Sequence, residues 1–213
     1  GKTRFLAAAS HDLLQPFHAA RLLTATLAER LGGRPEAPLV RHVDGALGAV
    51  EELLQALLEI SKLDAGVFQP QPRPVAIDEI LRAAVLPFEP IARRRGLRLR
   101  VVPSTAVVVT DPVLIRRIVQ NFVSNAVRYT RQGTVLVGCR RRADCLSIQV
   151  WDTGPGIPSE QLGAIFGEFR RLGGGDEEEP AGLGLGLAIV ERIADRLGHA
   201  VAVRSWPGRG SVF

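Results

Sequence analysis

Apolar or small side chains stand at Leu6, Ala9, Leu13, Pro16, Ala20, Leu23 and Leu27, in alternating steps of three and four. That spacing is the seam of a helix packed along another helix. The stretch GGRPEAP (32–38) interrupts it with two glycines and two prolines, and a second seam of the same step follows through Leu39, Val43, Ala46, Val50, Leu53, Leu57 and Ile60. Two helices therefore fold back as an antiparallel hairpin. Leu47, Leu54 and Leu58 widen the second stripe beyond what one partner helix covers, so two hairpins are expected to pair into a four-helix bundle. The expectation is a homodimer through residues 1–66.

The first helix carries an unusual polar set. With Leu6 at heptad position a, His11 falls at position f, farthest from the seam, and Gln15 and His18 follow one and two turns on. Pro16 has no N–H for the carbonyl of Asp12, so a bend is expected just past His11. Taken alone, this stripe also reads as surface residues beside a tolerated proline.

The stretch AGVFQPQPRPVAI (65–77) cannot continue a helix and separates a leucine- and alanine-rich part from a mixed one. It sets a linker at 67–76 and a second domain at 77–213. The 213 residues suffice for two small cores, and the net charge of +5 comes from arginines, with lysine only at Lys2 and Lys62. The basic runs Arg93-Arg94-Arg95 and Arg140-Arg141-Arg142 are short, lack interleaved aromatics and match no helix-turn-helix or zinc pattern. They read as solvated faces, and no nucleic acid is expected. No apolar run approaches the roughly 18 residues of a spanning helix, and no stretch reads as a signal peptide. A cytoplasmic fragment without direct membrane contact is expected, with anchorage of a longer parent left open. Cys139 and Cys145 lie on a hairpin without CxxC spacing and read as buried thiols.

The second part holds four further patterns. VVVTDPVLIRRIVQNFVSNAVRYT (107–130) reads as a strand, then a helix capped by Thr110 or Asp111 with Pro112 in its first turn. Asn121 and Asn125 share a face of that helix, where amide oxygens at i, i+4 suit a magnesium ion that keeps waters and takes phosphate oxygens, and Arg128 and Tyr129 lie on the same side. A structural asparagine pair is the plain alternative. LSIQVWDTGPGIP (146–158) is an alternating strand ending at Asp152, whose carboxylate only accepts hydrogen bonds and so suits an amino group such as that of adenine; Gly154 and Gly156 let backbone approach the base. AGLGLGLAIVERIADRLG (181–198) places Gly182, Gly184 and Gly186 at the start of an amphipathic helix, where amides and the helix dipole favour phosphate. Its GxGxG spacing fits neither the Rossmann nor the P-loop pattern. IFGEFRRLGGGDEEEP (165–180), with Phe166 and Phe169, reads as a nucleotide lid.

In this order the stretches resemble the catalytic core of a sensor histidine kinase over nearly the whole chain. FLAAASHDLLQP is similar to the family's phosphoacceptor box, NFVSNAVRYT to its asparagine box, DTGPGIP and GLGLGLAIV to its glycine boxes, and IFGEFRR to its phenylalanine box. The resemblance implies a dimerising helical hairpin followed by an α/β two-layer sandwich like that of the gyrase and chaperone ATPases. It further implies that His11 receives the γ-phosphoryl group of ATP and that Asp12 orients the imidazole and accepts its proton. Asn125 would hold Mg2+ with support from Asn121. Arg128 and Tyr129 would approach the nucleotide, Asp152 the adenine amino group, and Gly154, Gly156, Gly182, Gly184 and Gly186 would shape the pocket and lid. The implied partner is a response-regulator receiver domain, and whether a receiver is carried by the same parent, as in hybrid kinases, stays open.

Three departures stand out: Leu14 occupies the place of a usual arginine, Gln15 that of threonine or asparagine, and Arg128 that of a frequent lysine. Gln15, one turn past His11, is the residue expected to orient water for a phosphatase step. Two other readings compete. A gyrase- or chaperone-like ATPase would have no histidine hairpin, and a non-catalytic ATP-binding scaffold would be expected to lose Asn125, Asp152 or the glycines, all of which are present.

Overall fold

The computed structural model describes residues 2–66, 69–142, 145–170 and 184–213, with side chains from Gln15 onward. By contact the chain divides into two compact units, Gly1–Phe68 with Glu168–Ile189 and Gln69–Gly167 with Val190–Phe213. Each is described by itself.

The first unit contains the helices α1 (Lys2–Arg30), which runs unbroken through Pro16, and α2 (Ala37–Asp64). Between them Gly33 adopts a φ of 81°, a left-handed value that lets the chain reverse. The facing surfaces are polar as well as apolar. Arg21 donates from Nη1 to Glu51 Oε2 at 3.0 Å, and Thr24 Oγ1 donates to Asp44 Oδ1 at 3.1 Å. Leu47, Leu54 and Leu58 are half-buried on the same stripe of α2 as Asp44 and Glu51.

This corrects the assignment of the two stripes. Much of the described three-four seam does not hold the hairpin together: Leu23, Leu27, Leu39, Val43, Val50 and Leu57 are between 37% and 70% exposed, while Ile60 at its end is buried. The stripe read as the excess is the one turned to α1. His18 departs from its expected setting too, because its Nε2 lies 2.7 Å from Glu51 Oε1 although the ring remains largely exposed. At His18 the f position thus borders α2 and does not face water alone.

The second unit is a mixed α/β assembly. Its first strand, β1 (Arg73–Ala76), lies inside the stretch read as linker and pairs antiparallel with β3 (Val107–Thr110). A two-stranded ribbon tolerates Pro74 because one side of the strand needs no ladder bonds. The main sheet has the order β2-β4-β5-β7-β6, from β2 (Arg98–Val101), β4 (Thr134–Arg141), β5 (Leu146–Asp152), β6 (Arg204–Trp206) and β7 (Gly210–Val212). Only the β2–β4 pair is parallel.

Helices cover one face of this sheet. In α3 (Ile77–Val85), Ile77, Ile80, Leu81, Ala84 and Val85 are buried at helical spacing, and α4 (Glu89–Arg94) leads into β2. The helix α5 (Pro112–Tyr129) begins where Asp111 Oδ1 accepts the N–H groups of Val113 and Leu114, and Pro112 needs no partner for its nitrogen. Its buried stripe from Leu114 to Val127 packs on β4 and β5, where Val135, Val137 and Val150 are buried, and Phe122 stacks on Phe213 at 5.1 Å. Each such fully buried aliphatic side chain is worth about 1.5–3 kcal/mol relative to exposure. The last helix is α6 (Gly186–Leu197).

The thiols differ from expectation. Both are free, but Cys145 is exposed at the end of the β4–β5 hairpin, and Cys139 is half-buried with its Sγ 3.1 Å from Ser104 Oγ. A hairpin end has no layer above it to bury a side chain.

Candidate functional site

The carboxyl end of α5 and the carboxyl end of β5 meet at Gly154. A Cβ on that residue would stand 2.8 Å from Asp152 Oδ1 and 3.4 Å from both Thr130 Oγ1 and the Tyr129 carbonyl oxygen. Only glycine leaves that space open. Gly156 follows with a φ of 71°, and a Cβ there would collide with the Trp206 carbonyl, so the turn after Asp152 needs glycine at both places.

Asp152 is half-buried at the last position of its strand. Its Oδ1 accepts the N–H of Gly154 at 2.8 Å and of Ser211 at 3.3 Å. Burial pushes the carboxyl above the ordinary aspartate range, and these two backbone N–H groups pull partly back. Beside it, Thr130 is fully buried and its Oγ1 has no hydrogen-bond partner. A half-buried acceptor and an orphaned hydroxyl around a turn kept open by glycine fit a planar ligand that brings its own donors and acceptors, as adenine does.

On α5, Asn121, Asn125 and Arg128 are half-buried and Tyr129 is exposed, along one edge of the buried stripe of the helix. Asn121 Nδ2 donates to the Arg117 carbonyl at 3.0 Å, tying that amide to its own helix. Among the described residues no group of three His, Cys, Asp or Glu could hold a metal ion. A magnesium ion here would rely on an amide oxygen such as that of Asn125 together with water and phosphate oxygens, a hard-ligand set that suits it.

The remaining predicted residues lie on other elements. Gly184, with a φ of 70°, and Gly186 lie at the start of α6, and a Cβ on Gly184 would stand 2.6 Å from the Arg170 carbonyl oxygen. Gly182 and most of the lid reading lie outside the described residues, while Phe166 is half-buried and Phe169 exposed. His11 and Asp12 are in α1 with side chains outside the described set, and Gln15 is exposed on the same helix.

Three contributors escaped sequence reasoning. Ser211 supplies an N–H to Asp152 across 59 positions of chain, and GSVF at the end gave no sign of it beyond a glycine in a strand. Thr130 was read only as the end of a helix. Arg95, taken as part of a solvated basic run, donates from Nη1 to the carbonyls of Val127 at 2.9 Å and Arg128 at 3.1 Å, closing the carboxyl end of α5.

Residues 110–213 match the family model described as histidine kinase-, DNA gyrase B- and HSP90-like ATPase. The virulence sensor protein BvgS of Bordetella bronchiseptica is 32% identical over 99% of this chain and 18% of its own length. The sensor histidine kinase RcsC of Escherichia coli is 29% identical over 100% of the chain and 23% of its own length. The chain thus spans less than a quarter of these relatives. Among solved structures, full-length ShkA in complex with AMPPNP superposes with a TM-score of 0.77 at 27% identity, covering 99% of this chain and 44% of that one.

Proposed function

Because residues 110–213 are an ATPase domain of the histidine kinase, gyrase B and HSP90-like family in a chain related along its length to sensor histidine kinases, we propose that it phosphorylates its own His11 from ATP. One observation carries this reading: the ATPase domain stands in the same chain as a helical hairpin bearing a histidine followed by an acid, which a gyrase- or chaperone-like ATPase would not need.

Asp152 receives the adenine amino group, and Asn125, supported by Asn121, presents an amide oxygen to a magnesium ion. That ion supplies charge neutralisation on the phosphate oxygens. Arg128 and Tyr129 approach the phosphates and the nucleotide, while the amides around Gly182, Gly184 and Gly186 shape the phosphate end. The unprotonated ring nitrogen of His11 attacks the γ-phosphorus as the bond to the ADP oxygen breaks. Asp12 selects the reactive tautomer and takes the proton from the other nitrogen.

The phosphoryl group then passes to a carboxylate of a receiver domain, and Gln15 orients a water that attacks the resulting acyl phosphate, regenerating the carboxylate and releasing inorganic phosphate. The exposed seam of Leu23, Leu27, Leu39, Val43, Val50 and Leu57 supports dimerisation of residues 1–66 into a four-helix bundle, since apolar side chains in strict heptad spacing seek a second hairpin.

Incubation with γ-labelled ATP and magnesium tests the proposal. The chain retains label on itself, and Asn125→Ala abolishes it. Release of phosphate with no labelled protein would return the chain to the gyrase-like class.

A further inference from the structure

Among the described residues, no helix of the unit covers the face of its five-stranded sheet turned away from α5. Strand alternation places Arg98 and Arg100 of β2, Leu136 and Arg140 of β4, Trp151 of β5, and Arg204 and Trp206 of β6 on that side, as the pairings Arg100↔Leu136, Leu136↔Trp151, Trp151↔Val212 and Arg204↔Val212 require. Trp151 and Trp206 are 40% and 44% exposed and stack on one another at 6.2 Å and 9°. Trp151 Nε1 donates to Gln149 Oε1 at 3.1 Å, which steadies the ring. None of the outward strand positions is acidic.

We propose that this face, centred on Trp151 and Trp206 and edged by Arg98, Arg100, Arg140 and Arg204, is a docking surface for an acidic polypeptide segment. An apolar aromatic centre within an arginine rim is the composition of a protein interface, and tryptophan and arginine are the residue types that carry binding energy there. Four strand spacings make the patch about 19 Å across, and four residues of strand make it about 13 Å long. That is smaller than the roughly 800 Å² per partner of a standard domain interface and fits a single segment. Charge complementarity selects an acidic one. A nucleic acid is the poorer match, because the indoles lie against each other and are not spaced to receive successive bases. Occupancy of this face leaves the Asn125 face of α5, on the opposite side of the sheet, accessible to nucleotide.

Both tryptophans of the chain stand on this surface, so intrinsic tryptophan emission reports on it directly. The chain is titrated with a glutamate–alanine copolymer at low salt, and oligothymidine is titrated in parallel. A saturable emission change is expected that weakens with added salt, is at least about tenfold weaker in Arg100→Glu/Arg204→Glu, and is retained in Arg93→Glu/Arg94→Glu, whose exposed arginines lie on α4. If the first pair fails to fold by circular dichroism, Arg100→Gln/Arg204→Gln makes the same comparison. Absence of saturable binding, equal weakening by both double variants, or tighter binding of oligothymidine would each overturn the proposal.

Discussion

Replacing Asp152 by asparagine separates a ligand-binding carboxylate from a structural one. The substitution keeps Oδ1, so the N–H groups of Gly154 and Ser211 keep their acceptor. What changes is the second atom, from an acceptor with negative charge to an NH2 donor that would face the donor of the proposed adenine amino group. A hydrogen bond to a charged group contributes about 1.5–3 kcal/mol, so nucleotide binding should weaken by about tenfold to 150-fold. Stability without nucleotide should move the other way. Burial holds the Asp152 carboxyl above its ordinary range. The stability tied to its protonation is therefore present below the ordinary aspartate value of about 3.9 and lost as pH rises through the raised folded value. Asparagine carries no such loss, so the variant should melt at an equal or higher temperature than the parent at neutral pH, with the gap closing in acid. Titration with a fluorescent ATP analogue and thermal unfolding from acid to neutral pH read the two effects. Unchanged affinity would mean that the base does not sit on Asp152. Lower affinity together with lower stability would make the carboxylate a structural acceptor.

Two further outcomes follow from the frame. Leu23→Glu with Leu57→Glu, both on the exposed seam, should give a folded monomer by light scattering where the parent is a dimer; a parent that is monomeric at all concentrations would refute the bundle. Asp111→Ala removes the cap of α5 and the acceptor for the Gln71 N–H at 2.9 Å, and should cost about 1–2 kcal/mol by urea unfolding at pH 7. Burial opposes ionisation of Asp111, but the N–H groups of Gln71, Leu114 and Val113 and the charge of Arg73 outweigh it and hold the carboxyl below its ordinary value. Its stabilisation is thus present above about pH 4 and lost as pH falls through the folded value, so the parent and Asp111→Ala should converge in acid.

What the sequence made legible was local. The Asp111–Pro112 start of α5, the alternation of β5 up to Asp152 and the glycine turn after it are each set by residues within a few positions of one another, and they appear where expected. Partners chosen at a distance were hidden. Periodicity located the seam on α1 and α2 but carried no label saying whether the other helix or another chain would cover it. Across the hairpin Arg21 meets Asp44 and Glu51, a pairing that no local pattern marks. Ser211 and Thr130 entered the Asp152 site through sheet order and the end of a helix, neither of which leaves a local pattern. Arg95 looked like one cation in a basic run because only the folded chain brings it to the last carbonyls of α5.

His11 is the proposed acceptor of the phosphoryl group. Incubating the full chain with Mg-ATP, digesting it at alkaline pH and locating the modification by mass spectrometry should find a phosphoramidate on His11 that is lost in acid and persists in base, and His11→Gln should carry none. Phosphoryl groups on another residue, or labelling that survives in His11→Gln, would contradict it.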